Sequence, residues 1–277
     1  MDTAKEVSED SNSEFNKNEE DDMAAVYGEV DTKHQVFKSV TKKIHKLFSL
    51  RVAGGRSSQD LSMDELVAQC VIFFIAGYDT TGSTLSFATY MLALNQDVQE
   101  KAYQEIVDAV RDTNGELTYE AVQNLKYLDN IVSETLRLFP PATRLERLAI
   151  ADYKLGDTGI TIPKGMVVTI PSYAMHRDPE IFPNPEKFDP DRFTSEERAK
   201  RDLYAYLPFG AGPRNCVGMR FALMEVKVCL AYVIANFKIK RSPQTKVPLD
   251  YSTGVGMLQP KDVYVGLELR SKNPLVK

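Results

Sequence analysis

Residues 209–218 read Phe-Gly-Ala-Gly-Pro-Arg-Asn-Cys-Val-Gly, which sets one cysteine in a loop of three glycines and a proline, with an arginine two residues before it. Glycine tolerates the positive φ that a tight curl demands, so Gly210, Gly212 and Gly218 let the backbone draw N–H groups towards the sulfur of Cys216. Donors aimed at a sulfur favour its thiolate and tune what the thiolate ligates, while the planar fork of Arg214 suits a carboxylate. A thiolate beside a carboxylate-binding arginine suggests haem, with iron on the sulfur and a propionate on the guanidinium. The bland alternative for a lone cysteine is a small buried hydrophobe in a turn.

A second stretch runs Ala76-Gly77-Tyr78-Asp79-Thr80-Thr81 inside a long helical pattern. A glycine and two β-branched threonines in mid-helix are locally unfavourable, and such conflicts between propensity and fold tend to mark functional positions. Gly77 removes a side chain where something must approach the backbone. Thr80 can bond back to a carbonyl or hold a water, and Asp79 beside it can relay protons. Threonine back-bonding that merely bends a buried helix is the competing reading. A third set is Glu134 and Arg137, which share a helical face, together with Arg192 in Phe188-Asp189-Pro190-Asp191-Arg192-Phe193.

The spacing Phe-x-x-Gly-x-Arg-x-Cys-x-Gly resembles the cysteine-ligand loop of the cytochrome P-450 family, the haem-thiolate monooxygenases. The stretch at 76–81 looks like that family's oxygen-activation motif, and Glu134, Arg137 and Arg192 like its buried Glu-x-x-Arg network with the meander arginine. Ile170 to Pro179 and the Arg144-Leu145-Glu146-Arg147 run resemble the animal microsomal subgroup around family 3, drug- and steroid-oxidising enzymes. The resemblance covers roughly residues 60–270.

That resemblance implies Cys216 as the axial haem ligand, with Phe209, Gly210, Arg214 and Gly218 around it and Arg147 on a propionate. It implies proton management by Asp79 and Thr80 beside Gly77, and a structural role for Glu134, Arg137 and Arg192. It also implies a substrate pocket at Phe74, Ile75, Ala76, Ala142, Thr143, Arg144, Gly256 and Met257. The activity implied is insertion of one oxygen atom of O2 into a lipophilic substrate, with electrons from an NADPH-dependent flavoprotein reductase at the endoplasmic reticulum membrane, cytoplasmic face. What matches is the carboxy-terminal half of a family member, so a truncated, non-catalytic isoform stands as the alternative. Asp191 departs mildly from the glutamate common there.

Several elements must position these residues. Ser62-Met63-Asp64-Glu65 is a capping box, and nothing breaks the helix it starts until about Asn95, giving a rod about 50 Å long. Residues 97–111 read as a second amphipathic helix. Thr118 caps a helical segment from Tyr119 to Phe139 that Pro140-Pro141 stops. Leu148–Leu155, Gly159–Ile162 and Val167–Ile170 read as short strands, residues 176–208 as an ordered irregular meander, Met219–Asn236 as a helix and Val263–Leu269 as a strand. On strand alternation Arg144 and Arg147 point to opposite faces. The class expected is mainly α with small β-sheets, the carboxy-terminal half of the cytochrome P-450 fold.

With 277 residues, 43% of them hydrophobic, the chain can bury a sizeable core. Two regions are expected: a flexible acidic and basic stretch over 1–60, and a haem-binding part over 61–277. Residues 1–22 carry nine acidic side chains against two lysines, the opposite of a signal peptide. Lys33 to Arg51 patterns as a short basic amphipathic helix that could lie on an anionic membrane surface, with packing of its apolar stripe on the rest of the protein as the preferred reading. The apolar run Val71–Ala76 meets Gly77 and Asp79 at once, so no transmembrane helix is expected. A net charge of −5 without a long basic run in the folded part argues against nucleic acid as a partner. Cys70, Cys216 and Cys229 give no disulfide framework, and His34, His45 and His176 give no spacing for a metal site.

Overall fold

The computed structural model describes residues 61–252 and 257–275. The amphipathic pattern at 33–51 and Gly256 lie outside them. Contacts divide the chain into two units, Met1–Val67 and Ala68–Lys277.

The capping box forms as expected: the Ser62 N–H donates to Glu65 Oε2 at 2.7 Å and the Glu65 N–H to Ser62 Oγ at 3.2 Å. Helix α1 then runs over Met63–Leu94 without a break at Gly77 or Asp79. Its hydroxyl residues satisfy themselves on carbonyls one turn back, Thr80 on Ala76 at 2.7 Å and Thr84 on Thr80 at 2.8 Å. The expectation that no helix here is long and apolar enough to cross a bilayer is corrected, because α1 is, by length and composition. Much of its second half, from Thr81 to Ala93, is buried within the second unit, so apolar side chains there serve core packing.

Helix α2 follows at Gln96–Ala109. The single helix expected from Tyr119 is two, α3 at Tyr119–Gln123 and α4 at Lys126–Leu138. Thr118 caps the first by accepting from the Ala121 N–H at 3.1 Å. The second is capped from outside its own segment. The half-buried Glu105 of α2 accepts from the Tyr127 and Leu128 N–H groups at 2.7 and 3.0 Å, and burial pushes its carboxyl up.

Strands β1 (Leu145–Leu148) and β4 (Val167–Ile170) pair antiparallel, Arg147 opposite Val168, and β2 (Tyr153–Lys154) pairs with β3 (Thr161–Ile162). The strand expected at 148–155 is therefore the end of one strand and the start of another, with a bend at 149–152. Helix α5 (Ser172–Met175) opens the meander, which contains a 3-10 turn at Pro190–Phe193 and the short helix α6 (Ser195–Ala199). After the cysteine loop come α7 (Met219–Asn236), β5 (Phe237–Lys240), β6 (Tyr251–Ser252), β7 (Gln259–Pro260) and β8 (Gly266–Leu269). The last is shorter than the pattern at 263–269 suggested; β5 pairs with β8 and β6 with β7.

The core lies where α1, α2, α4, α7 and β5 meet, at Phe87, Leu92, Ile106, Leu128, Ile131, Leu230, Ile234 and Ile239. Gln99 staples two of its walls. Its buried amide donates to the Leu92 and Ile239 carbonyls at 3.0 and 2.8 Å and accepts from the Ile239 N–H at 2.8 Å.

Candidate active site

The cysteine loop is a set of nested turns. The Cys216 N–H donates to the Phe209 carbonyl at 2.9 Å and the Asn215 N–H to that of Gly212 at 3.1 Å. Gly210 and Gly212 hold φ of 73° and 75°, as the curl requires. Gly218 does not; its φ is −85°. A Cβ there would lie 4.0 Å from Cys216 Sγ, an ordinary van der Waals contact. Cys216 itself is exposed.

The sulfur-bearing residue lines an apolar cavity of about 650 Å³. Another wall is α1, which contributes Gln69, Ile72, Phe73, Ala76, Gly77 and Thr80. These recur at helical spacing on one stripe. Pro141, Ala142, Phe209, Phe221 and Met257 close the sides. Ala142 and Met257 are joined by an isolated antiparallel bridge, with the Leu258 N–H on the Pro141 carbonyl at 2.9 Å.

A family model described as Cytochrome P450 matches residues 4–266. The chain belongs to the cytochrome P450 family. It is 48% identical to cytochrome P450 3A13 of Mus musculus over 206 residues, 74% of this chain and 40% of that protein. It is 50% identical to cytochrome P450 3A5 of Homo sapiens over 205 residues, 74% and 40% of the two, and 44% identical to cytochrome P450 9e2 of Blattella germanica over 210 residues, 75% and 39%. The chain spans about two fifths of the length of these relatives. As expected, it is a P450 chain close to family 3, and its largely helical build with small sheets agrees with the carboxy-terminal half of the P450 fold.

The P450 family implies a haem held on a cysteine thiolate, and the residues present fit it. Cys216 is exposed and sits on the wall of an apolar cavity. Arg214 is exposed and has no carboxylate partner among the described residues. Arg147, in β1, is also exposed and bonds only the Glu146 carbonyl, at 2.7 Å. Both guanidiniums retain capacity for an anionic ligand.

Not every position expected at the pocket reaches it. Ala76, Ala142 and Met257 line the cavity; Phe74, Ile75, Thr143 and Arg144 do not. The reason in α1 is rotation about its axis: Phe74 stacks on Tyr78 with centroids 6.0 Å apart, to one side of the stripe through Phe73 and Gly77. Arg144 turns to Glu146 instead, Nε to Oε1 at 2.8 Å. Sequence reasoning missed Ile72, Phe73, Val217 and Phe221, all cavity-lining. The helical stripe through Ala76, Gly77 and Thr80 was the signal that would have found the first two. Asp79 is half-buried beside Thr80, and it does not line the cavity.

Behind the loop lies the Glu134–Arg137 pair, fully buried on α4. Arg137 is bidentate on Glu134, Nε to Oε2 at 2.7 Å and Nη2 to Oε1 at 2.8 Å. Its remaining donors reach the carbonyls of His176 at 2.8 Å and Pro185 at 2.7 Å. Glu134 also accepts from the Asp189 N–H at 2.8 Å, and Arg192 Nε approaches it at 3.5 Å, an ion pair rather than a hydrogen bond. Burial holds the Glu134 carboxyl above the ordinary carboxylate range, against the pull of Arg137, the Asp189 N–H and Arg192. The network expected from the three residues forms, and it fixes the meander to α4.

Proposed function

We propose that this chain carries the oxygen-activating half of a monooxygenase that hydroxylates a lipophilic substrate. The observation that supports it is the meeting of Cys216 and Thr80, far apart in sequence, on one apolar cavity. Haem bound on Cys216 would supply the redox chemistry that divides O2 between substrate and water.

The chain's own residues do the rest. Cys216 supplies the ligand, and the turn that engages its N–H with Phe209 fixes where the sulfur sits. Arg214 and Arg147 hold carboxylates. Thr80 points its proton at the Ala76 carbonyl, which leaves its oxygen lone pairs free to accept from a water or substrate hydroxyl in the cavity. Asp79, next to it, passes protons from outside. The apolar walls favour a lipophilic substrate. Electrons come from an NADPH-dependent flavoprotein reductase, and the resemblance to microsomal members supports a reaction at the endoplasmic reticulum membrane.

The test is spectroscopic. The 277-residue chain is loaded with haem, reduced and exposed to carbon monoxide, and the expected result is the red-shifted Soret band of a thiolate ligand. Absence of that band refutes haem-thiolate chemistry by this chain. A second reading, a non-catalytic isoform that acts by protein contacts, is favoured by the exposure of Ile72, Phe73 and Phe74. It predicts no such band and no cysteine-dependent spectrum of any kind.

A further inference from the structure

His176 is fully buried, yet none of the roles above uses its side chain. Its ring packs against Tyr206 and Phe182, with centroids 5.2 and 6.5 Å away. Its Nε2 accepts the Leu207 N–H at 2.9 Å. A ring nitrogen that accepts has no proton, so the proton of the neutral ring is on Nδ1, and Nδ1 is buried with no hydrogen-bond partner among the described residues. An unpaired buried donor is unfavourable, and the polar contact set against it is the one to Leu207. Burial, then the Arg137 and Arg177 guanidiniums, lower the ring's pKa to about 4, so at neutral pH it is uncharged and Nε2 remains an acceptor.

The position of Leu207 gives that bond its meaning. It lies two residues before Phe209, whose carbonyl receives the Cys216 N–H. On the other side, the His176 carbonyl is held by Arg137 Nη1 at 2.8 Å. One residue thus has its backbone on the buried ion pair and its ring on the entry to the cysteine loop.

We propose that His176 is a positioning residue for Cys216, tying the start of the cysteine loop to the Glu134–Arg137 pair through the Leu207 amide. Its importance for chemistry rests on the haem-thiolate reading above, whereas the backbone coupling does not. An apolar residue of similar size at 176 would leave the buried Leu207 N–H without an acceptor. Glutamine could replace it, because its amide oxygen accepts where Nε2 does.

Residue-resolved amide hydrogen exchange on the haem-free 277-residue chain tests the coupling. In the unsubstituted protein Leu207 and Cys216 should be protected and open together. In His176→Leu both should exchange faster by on the order of tenfold, while α4 and α7 core amides change by less than about twofold, and His176→Gln should restore protection. Leu207 exchanging as fast as the exposed Leu203, Cys216 unmoved in His176→Leu, or α4 loosening equally would each overturn the proposal. If His176→Leu does not fold, the joint opening of Leu207 and Cys216 in the unsubstituted chain and its retention in His176→Gln decide the matter. Carbon monoxide spectra then supply the link to chemistry: the thiolate-ligated fraction should fall in His176→Leu and recover in His176→Gln. No thiolate band even without substitution would overturn the haem reading, with the exchange result still standing on its own.

Discussion

The α4–meander side and the cavity side of this molecule solve opposite problems. On the first, a charged pair is fully buried, and its donors and acceptors are engaged with one another and with the backbone of His176, Pro185 and Asp189. On the second, Ile72, Phe73, Val217, Phe221 and the cysteine itself are exposed, and Arg214 has no carboxylate partner among the described residues. One side spends its polar groups on holding the chain together; the other keeps its sulfur and guanidinium for a ligand. Stability and chemistry are thus lodged in different residues, and substitution should separate them.

The largest separation is expected at Glu134. Glu134→Ala strands the Arg137 guanidinium in the interior and should lower stability by about 3–5 kcal/mol, read from the urea unfolding midpoint. On the cavity side, Phe73→Ser removes an exposed ring and should stay within about 0.5 kcal/mol. Equal losses at the two positions would erase the contrast.

Acid should act on the buried side through His176. Above pH 6.5 the His176 ring is neutral whether the chain is folded or not. Below that, the unfolded chain takes up a proton that the buried ring refuses until about pH 4, so stability falls as pH falls through this window. The full effect is up to about 3 kcal/mol, one pKa unit being about 1.4. Unfolding midpoints at several pH values check it, and His176→Gln should flatten the slope. A slope unchanged in that variant would assign the acid sensitivity elsewhere.

Within the cysteine loop the expected cost is smaller and purely local. Gly212→Ala places a Cβ at φ 75° with no atom within 4 Å of it, so the penalty is backbone strain of about 1–2 kcal/mol without any clash. Thermal unfolding measures it. A larger loss would mean that the loop is coupled to the core more tightly than its turns indicate.

How much of this was legible in the sequence follows from how local each signal is. The capping box, the Pro140-Pro141 stop and the Cys216 loop are short-range chemistry, and each is found at the expected place. The break at Asn124–Leu125 was not legible, because its cap is Glu105, which arrives from another helix. Gln99, bonding β5, is invisible for the same reason. Motif matching placed Cys216, Thr80 and Gly77 on the cavity but also named Phe74 and Ile75, which helical periodicity alone would have rotated away from it. The His176–Leu207 bond could not be read at all, since it joins two residues of an aperiodic meander.

A small energetic effect carries the sharpest test of the contrast. Gly77 lies inside α1 with nothing within 4 Å of where a Cβ would be, and the open space it faces is the cavity. Alanine there improves helix propensity and clashes with nothing, so Gly77→Ala should stabilise the haem-free chain by about 0.5–1 kcal/mol. The same methyl group would stand on the α1 wall of the cavity that Cys216 also lines. The haem-loaded variant should therefore keep its thiolate Soret band, which depends on the sulfur, yet bind carbon monoxide more weakly, which depends on room beside α1. A variant that is more stable and binds carbon monoxide unchanged would remove the functional reason for this glycine. One that is less stable would show that the wall is packed more closely than its geometry implies.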